Sequence, residues 1–168
     1  IQEGGRRAGT ENVAGIVGLG KAAELARIQM SSRVEKITQV RDYLIKELPL
    51  KISHVLVTGH PQNRLTGHAS FCVEFIEGES MLMLLNSQGV AVTRGSACTA
   101  KALKASHVLI AMGLDHAIAK GSMLFSFGVE NTVQDVDYVM EVLPPIVDRL
   151  REMSPLYDKF LKSGKEGR

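Results

Sequence analysis

The sequence predicts an α/β protein, more closely an α+β domain, in which a short mixed sheet of about four strands is covered by helices. Apolar residues first recur at helical spacing and then alternate in short stretches that are separated by further helical stretches. Apolar residues form 45% of the sequence and charged residues 23%, which is typical of a globular domain with a packed core. Strands that alternate with helices indicate two layers, with one face of the sheet covered.

Two helical stretches open the chain. The first runs from Glu11 to about Arg27 and contains three glycines, which favour a closely packed helix. The second runs from Ser32 to Leu48, and its predicted N-cap is Ser31 or Ser32, because a serine hydroxyl can accept a hydrogen bond from the first helical turn. We therefore predict two separate helices that meet between residues 30 and 32.

Four short strands are predicted from the alternation of apolar residues. They are centred on Val55 and Val57, on Phe71, Val73 and Phe75, on Val90 and Val92, and on Met123, Phe125 and Phe127. A helix rich in leucine and methionine is predicted from about Gly78 to Ser87, ended by Gly89. A short helix is predicted from about Ser106 to Met112.

The last long element is predicted to be a helix from about Val133 to Met153, because its apolar residues keep helical register. Pro144 and Pro145 lie inside it and predict a kink or a break, since proline lacks the backbone N–H that a helix needs. The short polar tail from Ser163 onward is expected to fray.

Charge and hydropathy argue against several classes of function. The 20 basic and 18 acidic residues are interspersed and give a net charge of +2, so neither nucleic acid nor a membrane surface is predicted as a partner. No apolar run approaches the length of a membrane span, and the first residues do not form a signal peptide. The chain opens on Ile1 without a methionine, and we expect it to be a piece of a longer protein.

The two cysteines, Cys72 and Cys98, lie in different settings, which argues against a structural disulfide and favours the reducing cytoplasm. Cys72 alternates with Phe71 and Val73 inside a predicted strand, so we interpret it as an inert core residue. The five histidines show no metal-ligand spacing with each other or with the cysteines. No metal site is therefore predicted.

A reactive cysteine is predicted within the Arg-Gly-Ser-Ala-Cys-Thr segment at residues 94–99. Cys98 follows a predicted strand, and loops at strand ends often carry catalytic groups. Arg94, Lys101 and Lys104 could lower the pKa of its thiol, which must react as the thiolate. Two other interpretations stay open: Cys98 could be a small buried residue, or it could form a hydrolase dyad with His107.

An anion site is predicted in the segment Arg-Arg-Ala-Gly-Thr-Glu-Asn at residues 6–12. It precedes a predicted helix, whose first backbone N–H groups and dipole attract anions. Arg6 and Arg7 add positive charge, and the Thr10 hydroxyl adds a donor. The alternative is that Thr10 only caps the helix and that both arginines are solvated.

Three motifs occur together: Arg-Ala-Gly-Thr-Glu-Asn-Val at 7–13, Gly-Ser-Ala-Cys at 95–98, and Ser-His-Val-Leu with Ala-Met-Gly-Leu at 106–114. Over nearly the entire chain they resemble the C-terminal region of NifS/IscS-type cysteine desulfurases, which are fold-type I pyridoxal-phosphate enzymes of the class-V aminotransferase family. The resemblance implies that residues 1–30 are the tail end of the large cofactor-binding domain. Residues 31–168 would then form the small C-terminal domain, which carries the cysteine loop.

The resemblance also implies a reaction. Enzymes of that family take sulfur from L-cysteine, leave L-alanine and carry the sulfur as a persulfide on a loop cysteine, which Cys98 matches. Thr10 matches the threonine that contacts the phosphate of pyridoxal phosphate across the homodimer interface, and Arg7 is a second candidate for cofactor binding. The implied partners are L-cysteine and an iron–sulfur scaffold or another sulfur-acceptor protein.

Two features depart from the family pattern. The Schiff-base lysine, the ring-stacking histidine and the aspartate at the pyridine nitrogen lie upstream of this chain in the family, so this chain alone is predicted to be inactive. The arginine that binds the substrate carboxylate stands in a pattern like Arg-Phe-Ser-Leu-Gly, which here reads Leu-Phe-Ser-Phe-Gly from Leu124. Leucine cannot donate the paired, charge-assisted hydrogen bonds of arginine. Arg94 is the candidate replacement.

The sequence thus predicts the C-terminal segment of a pyridoxal-phosphate cysteine desulfurase that supplies sulfur for iron–sulfur cluster assembly. Two alternatives stay open. Leu124 is compatible with a non-catalytic sulfur-relay or docking module, in which Cys98 accepts a persulfide made elsewhere. The other alternative is a related enzyme of the same fold type, such as a selenocysteine lyase or an aminotransferase.

Overall fold

The computed structural model describes residues 2–95 and 105–163. The segment that contains Cys98 and the predicted fraying tail beyond Ser163 therefore lie outside the described residues. The chain divides into two units, Ile1–Glu35 and Lys36–Arg168.

Helix α1, Val13–Lys51, is 39 residues long and continues from the first unit into the second. The predicted helix start at Ser31 or Ser32 is wrong. Ser32 lies inside α1, where its Oγ donates to the carbonyl of Gln29 at 3.1 Å. The hydroxyl is thus satisfied within the helix, and no proline stands near the two serines to interrupt it.

The first unit also contains a short 3-10 turn, Glu3–Gly5, and the second unit contains three strands and five further helices within the described residues. The strands are β1 Val55–Thr58, β2 His68–Val73 and β3 Ser122–Ser126. The helices are α2 Gly78–Ser87, α3 His107–Ala111, α4 His116–Lys120, α5 Val133–Glu152 and α6 Pro155–Ser163. Helices α4 and α6 were not predicted, because five and nine residues are too few for a clear helical period.

The sheet has three antiparallel strands in the order β1-β2-β3. Val57 lies opposite Phe71, and Phe71 lies opposite Met123, so the three strands contribute to one apolar face. The predicted α/β class, with a small sheet covered by helices, is confirmed.

The predicted fourth strand and the mixed pairing are corrected for the residues that the structure describes. Around Val90 and Val92 the chain forms no strand, and it makes only an isolated antiparallel bridge between Thr93 and Leu124. Gly95 follows two residues later with a φ of +129°, a backbone conformation that glycine tolerates and that turns the chain out of the extended path.

The main core lies between one face of the sheet and helices α1, α2 and α5. Its largest fully buried side chains come from all four of these elements: Leu44, Leu48, Phe71, Val73, Met81, Leu85, Val136, Leu143 and Val147. Phe71 and Phe125 meet edge to face, with 6.1 Å between their ring centroids. A smaller cluster of Cys72, Leu109 and Ala119 lies on the opposite face, to which alternate residues of β2 point.

Helix α2 agrees with its predicted range, and Gly89 has the positive φ, +77°, expected after a helix end. Helix α5 is not split by Pro144 and Pro145. Leu143 and Val147, on either side of the prolines, are fully buried, so packing holds the helix together. None of the helices in the described part of the chain is long and apolar enough to cross a membrane.

Candidate active site

A cavity of about 250 Å³ lies on the face of the sheet opposite the main core. It is lined by sheet residues His68, Ser70, Ser122 and Leu124, by Arg94 and Gly95, and by Ser106, His107 and Met112. Gly95 and Ser106 lie at the two ends of the segment that carries Cys98, and Cys98 itself is outside the described residues. The cavity is therefore flanked on both sides by the stems of the cysteine segment.

The stem that leads into this segment is fixed to the sheet by backbone and side-chain hydrogen bonds. Thr93 and Leu124 exchange two backbone bonds, with N···O distances of 3.1 and 2.6 Å. The Ser122 Oγ donates to the carbonyl of Arg94 at 3.1 Å, and the Thr93 Oγ1 donates to the carbonyl of Gly95 at 3.1 Å. The backbone is thus held up to Gly95, the last described residue before Cys98.

The Arg94 side chain is largely buried and lines the cavity. Its Nε lies 3.0 Å from Oε2 of Glu79 on α2, and 11% of its side chain is exposed against 40% of that of Glu79. A partly buried ion pair of this kind is screened by solvent less than a pair on the surface. Glu79 therefore holds the Arg94 guanidinium at the cavity wall.

Leu124 lies on β3 opposite Ser70 and lines the same cavity as Arg94. This is the position at which the resemblance places an arginine for the substrate carboxylate. The cavity thus has an apolar side chain on its sheet wall and a guanidinium at the stem of the cysteine segment. The structure brings these two predicted positions to one site.

Hydroxyl and imidazole groups complete the described wall. Thr58 donates through its Oγ1 to the Oγ of Ser70, and both residues line the cavity. His68 is on β2, and His107 is the first residue of α3. One guanidinium among several hydroxyls suits a small anion such as a carboxylate.

The predicted anion segment belongs to the first unit and is exposed throughout. The Arg7 Nη1 donates to the carbonyls of Gly9 and Thr10, at 3.4 and 3.2 Å. The helix is not capped by Thr10, because the Oδ1 of Asn12 accepts the N–H of Gly15 at 3.0 Å. Asparagine satisfies the N–H of the first turn, which leaves the Thr10 hydroxyl available for another role.

The guanidinium groups of Arg6 and Arg7 and the hydroxyl of Thr10 supply hydrogen-bond donors that suit the phosphate end of pyridoxal phosphate. Arg6 and Arg7 line an open cleft in the first unit, which Glu3 and Glu11 also line. Positive charge just before the start of α1 favours an anion there, and the Thr10 hydroxyl can donate to a phosphate oxygen.

Cys72 has no chemical role at this site. Its side chain is fully buried, and burial raises the pKa of its thiol to about 11, so it stays protonated at neutral pH. The interpretation of Cys72 as an inert core residue agrees with this environment. Within residues 2–95 and 105–163, no group of three histidine, cysteine, aspartate or glutamate side chains could hold a metal ion.

Comparison with known proteins identifies the family. The sequence profile of the family described as Aminotransferase class-V matches residues 2–139 of this chain. The chain belongs to the class-V aminotransferase family. The predicted family is thereby confirmed, over more than half of the chain.

Relatives of this class-V aminotransferase chain are named cysteine desulfurases. A cysteine desulfurase of Gluconacetobacter diazotrophicus is 50% identical over 157 residues, which are 94% of this chain and 39% of the relative. A cysteine desulfurase IscS of Methanosarcina thermophila is 51% identical over 158 residues, again 94% and 39%. The chain thus spans about two fifths of the length of the curated relatives that it matches.

Solved structures agree with this class-V assignment. A NifS-like protein from Rickettsia africae superposes with a TM-score of 0.74 at 29% identity, covering 88% of this chain and 38% of that one. A second NifS-like protein superposes with a TM-score of 0.74 at 30% identity, covering 89% and 37%. The predicted membership of the NifS-like fold is confirmed.

Sequence reasoning missed two residues of this class-V chain that hold Arg94 in place. Glu79 binds the side chain of Arg94, and Ser122 binds its backbone carbonyl. Glu79 is 15 residues before Arg94 and Ser122 is 28 residues after it, and no spacing rule links residues so far apart. The negative charge of Glu79 in a largely apolar helix was the one available signal.

Proposed function

We propose that this chain is the C-terminal part of a pyridoxal-phosphate-dependent cysteine desulfurase and that Cys98 receives the sulfur. The observation that carries the proposal is the cavity bounded by Gly95 and Ser106, which flanks the cysteine segment in a class-V aminotransferase chain. The desulfurase names of the relatives support the same reaction. The proposed substrate is L-cysteine, and the sulfur is passed to an iron–sulfur scaffold or another acceptor protein.

The proposed chemistry uses Cys98 as a nucleophile. Its thiolate attacks the sulfur of the substrate, a sulfur–sulfur bond forms and the carbon–sulfur bond of the substrate breaks. The electron pair stays with the carbon product, which gains a proton and leaves as L-alanine, while Cys98 keeps a persulfide. Arg94, held by Glu79 at the cavity wall, binds the substrate carboxylate in place of an arginine at position 124.

The proposed cofactor contact is the Thr10 hydroxyl, which binds the phosphate group, with Arg7 beside it. Pyridoxal phosphate, when bound, supplies the electron-withdrawing ring on which this reaction depends. We propose that Thr10 acts on the cofactor of the partner subunit in a homodimer. Residues 1–30 then belong to the large domain and residues 31–168 to the small one, in a cytoplasmic enzyme.

The first experiment is a comparison of two cysteine variants in the full-length protein with pyridoxal phosphate and a reductant. Cys98→Ala should lower sulfide release from L-cysteine by about 100-fold or more, because it removes the nucleophile. Cys72→Ala is the matched control and should retain activity, because the Cys72 thiol is buried and protonated. Equal release by the Cys98→Ala variant and the wild type would falsify the assigned role of Cys98.

Leu124 supports a second candidate, a sulfur-relay or docking module. Its side chain lines the cavity where the family resemblance places an arginine, which weakens the case for substrate binding there. In this role the protein would release no sulfide from L-cysteine but would take up sulfur on Cys98 from an active desulfurase. Mass spectrometry of Cys98 after incubation with each sulfur source separates the two candidates. Selenocysteine as the substrate tests the third, a selenocysteine lyase.

A further inference from the structure

We infer that Glu79 sets how strongly Arg94 binds a carboxylate in the cavity, and that it is a specificity-determining residue of this site. The inference rests on the proposed function only for the identity of the ligand as an amino-acid substrate. The charge arrangement itself comes from the described residues.

Arg94 is the only arginine or lysine among the described residues that line the cavity. Leu124 on β3 also lines the cavity, and its apolar side chain cannot bind an anion. A carboxylate that enters the described cavity is therefore drawn to Arg94.

Glu79 contacts the guanidinium of Arg94 at Nε, at 3.0 Å, and is not among the described residues that line the cavity. Arginine carries five N–H donors in a planar fork, so an ion-pair contact at Nε is compatible with two parallel hydrogen bonds from Nη1 and Nη2 to a ligand. Glu79 can thus orient Arg94 without occupying the edge that faces a ligand.

A carboxylate ligand at Arg94 has to share the guanidinium with the carboxylate of Glu79, and the two anions repel each other at short range. Because only 11% of the Arg94 side chain is exposed, solvent screens this repulsion less than on the surface. Glu79 therefore lowers the affinity for a carboxylate while it fixes the orientation of Arg94.

Glu79→Gln separates these two effects, since glutamine keeps the length of the side chain and a polar oxygen beside Nε but loses the charge. We expect the KM for L-cysteine to fall about 3- to 10-fold with kcat unchanged, because the added binding acts equally on substrate and transition state. The double variant Glu79→Gln/Arg94→Ala should lose this gain entirely. Arg94→Ala alone should raise KM.

Glu77→Gln is the matched control. Glu77 precedes the same helix α2 and carries the same charge, but its Oε1 lies 3.5 Å from Lys120 rather than beside Arg94. Its replacement should leave KM within about 2-fold, as expected for an exposed ion pair.

Binding of simple probes to the full-length protein tests the inference without turnover. Ligand-observed NMR titration with propanoate and with neutral propanamide should show about 3- to 10-fold tighter propanoate binding in Glu79→Gln and unchanged propanamide binding. Unchanged or weaker propanoate binding in Glu79→Gln, or a gain that persists without Arg94, overturns the inference. Absence of sulfide release from L-cysteine, by contrast, overturns the proposed function. The propanoate titration still tests the inference about Glu79, because it does not depend on turnover.

Discussion

The two candidate sites of this chain differ in how their backbone is held. At the cavity, the stem of the cysteine segment is fixed by the Thr93–Leu124 bridge and by the Ser122 hydroxyl, which come from residues far apart in sequence. At the anion segment, residues 6–12 are exposed, and the hydrogen bonds of the Arg7 and Asn12 side chains reach only two or three residues along the chain.

The two sites therefore depend on different parts of the chain. The cavity is a product of tertiary packing, so a change at a distant strand should alter it. The anion segment is a local motif, whose chemistry comes from its own arginines and threonine. Substitutions in the two regions test this contrast.

The largest effect is expected for a methyl group added at Gly121, directly before β3. A Cβ there would overlap the carbonyl of Val73, whose N–H is itself bonded to the Gly121 carbonyl at 2.9 Å. Gly121→Ala should therefore lower the free energy of unfolding by about 3 kcal/mol or more. Urea denaturation followed by circular dichroism measures this loss.

Gly9→Ala is the corresponding change at the anion segment. Gly9 has a φ of +88°, but no atom lies within 4 Å of an added Cβ. The cost should be about 1 kcal/mol, from backbone strain alone. A loss at Gly9 as large as that at Gly121 would contradict the contrast between the closely packed sheet region and the locally formed anion segment.

A middle-sized effect is expected at Ser122, which is 7% exposed and donates to the carbonyl of Arg94. Ser122→Ala leaves that carbonyl without this donor and should cost about 1 to 3 kcal/mol. Ser87→Ala removes a similar bond, from the Ser87 Oγ to the Leu84 carbonyl, at an exposed position and should change stability by less than about 0.5 kcal/mol. Equal losses in the two variants would show that the stem is not held by Ser122.

A further effect, confined to high pH, is expected from Cys72. Its pKa is raised to about 11 in the folded protein, so the unfolded chain loses the thiol proton first as the pH rises. This contribution to stability is fully present below the ordinary thiol pKa and should be lost from about pH 9 to about pH 11. The urea midpoint of the wild type should fall more steeply over this range than that of Cys72→Ala, and parallel curves would contradict it.

Much of the fold was predictable, because periodicity and glycine positions are local signals. Helix α2 ends where Gly89 adopts a positive φ, and the apolar alternation around Phe71 and Met123 marked two strands that pair in the sheet. The fourth strand was mispredicted because Val90 and Val92 have the composition of a strand, while within the described residues this stretch pairs with the sheet only through the isolated bridge of Thr93. Composition cannot show whether a neighbouring strand is available for pairing.

By itself, the sequence determined the α/β class and the resemblance to a known family, and it named Cys98, Thr10 and Leu124 as candidate site positions. These follow from residue types at short spacing. Only the tertiary structure decided that Leu124 and Arg94 line one cavity, that Glu79 holds the guanidinium, and that Asn12 rather than Thr10 caps α1. The physical reason is that contacts across the sheet join residues tens of positions apart, and the choice of a helix cap depends on the turn that the backbone adopts.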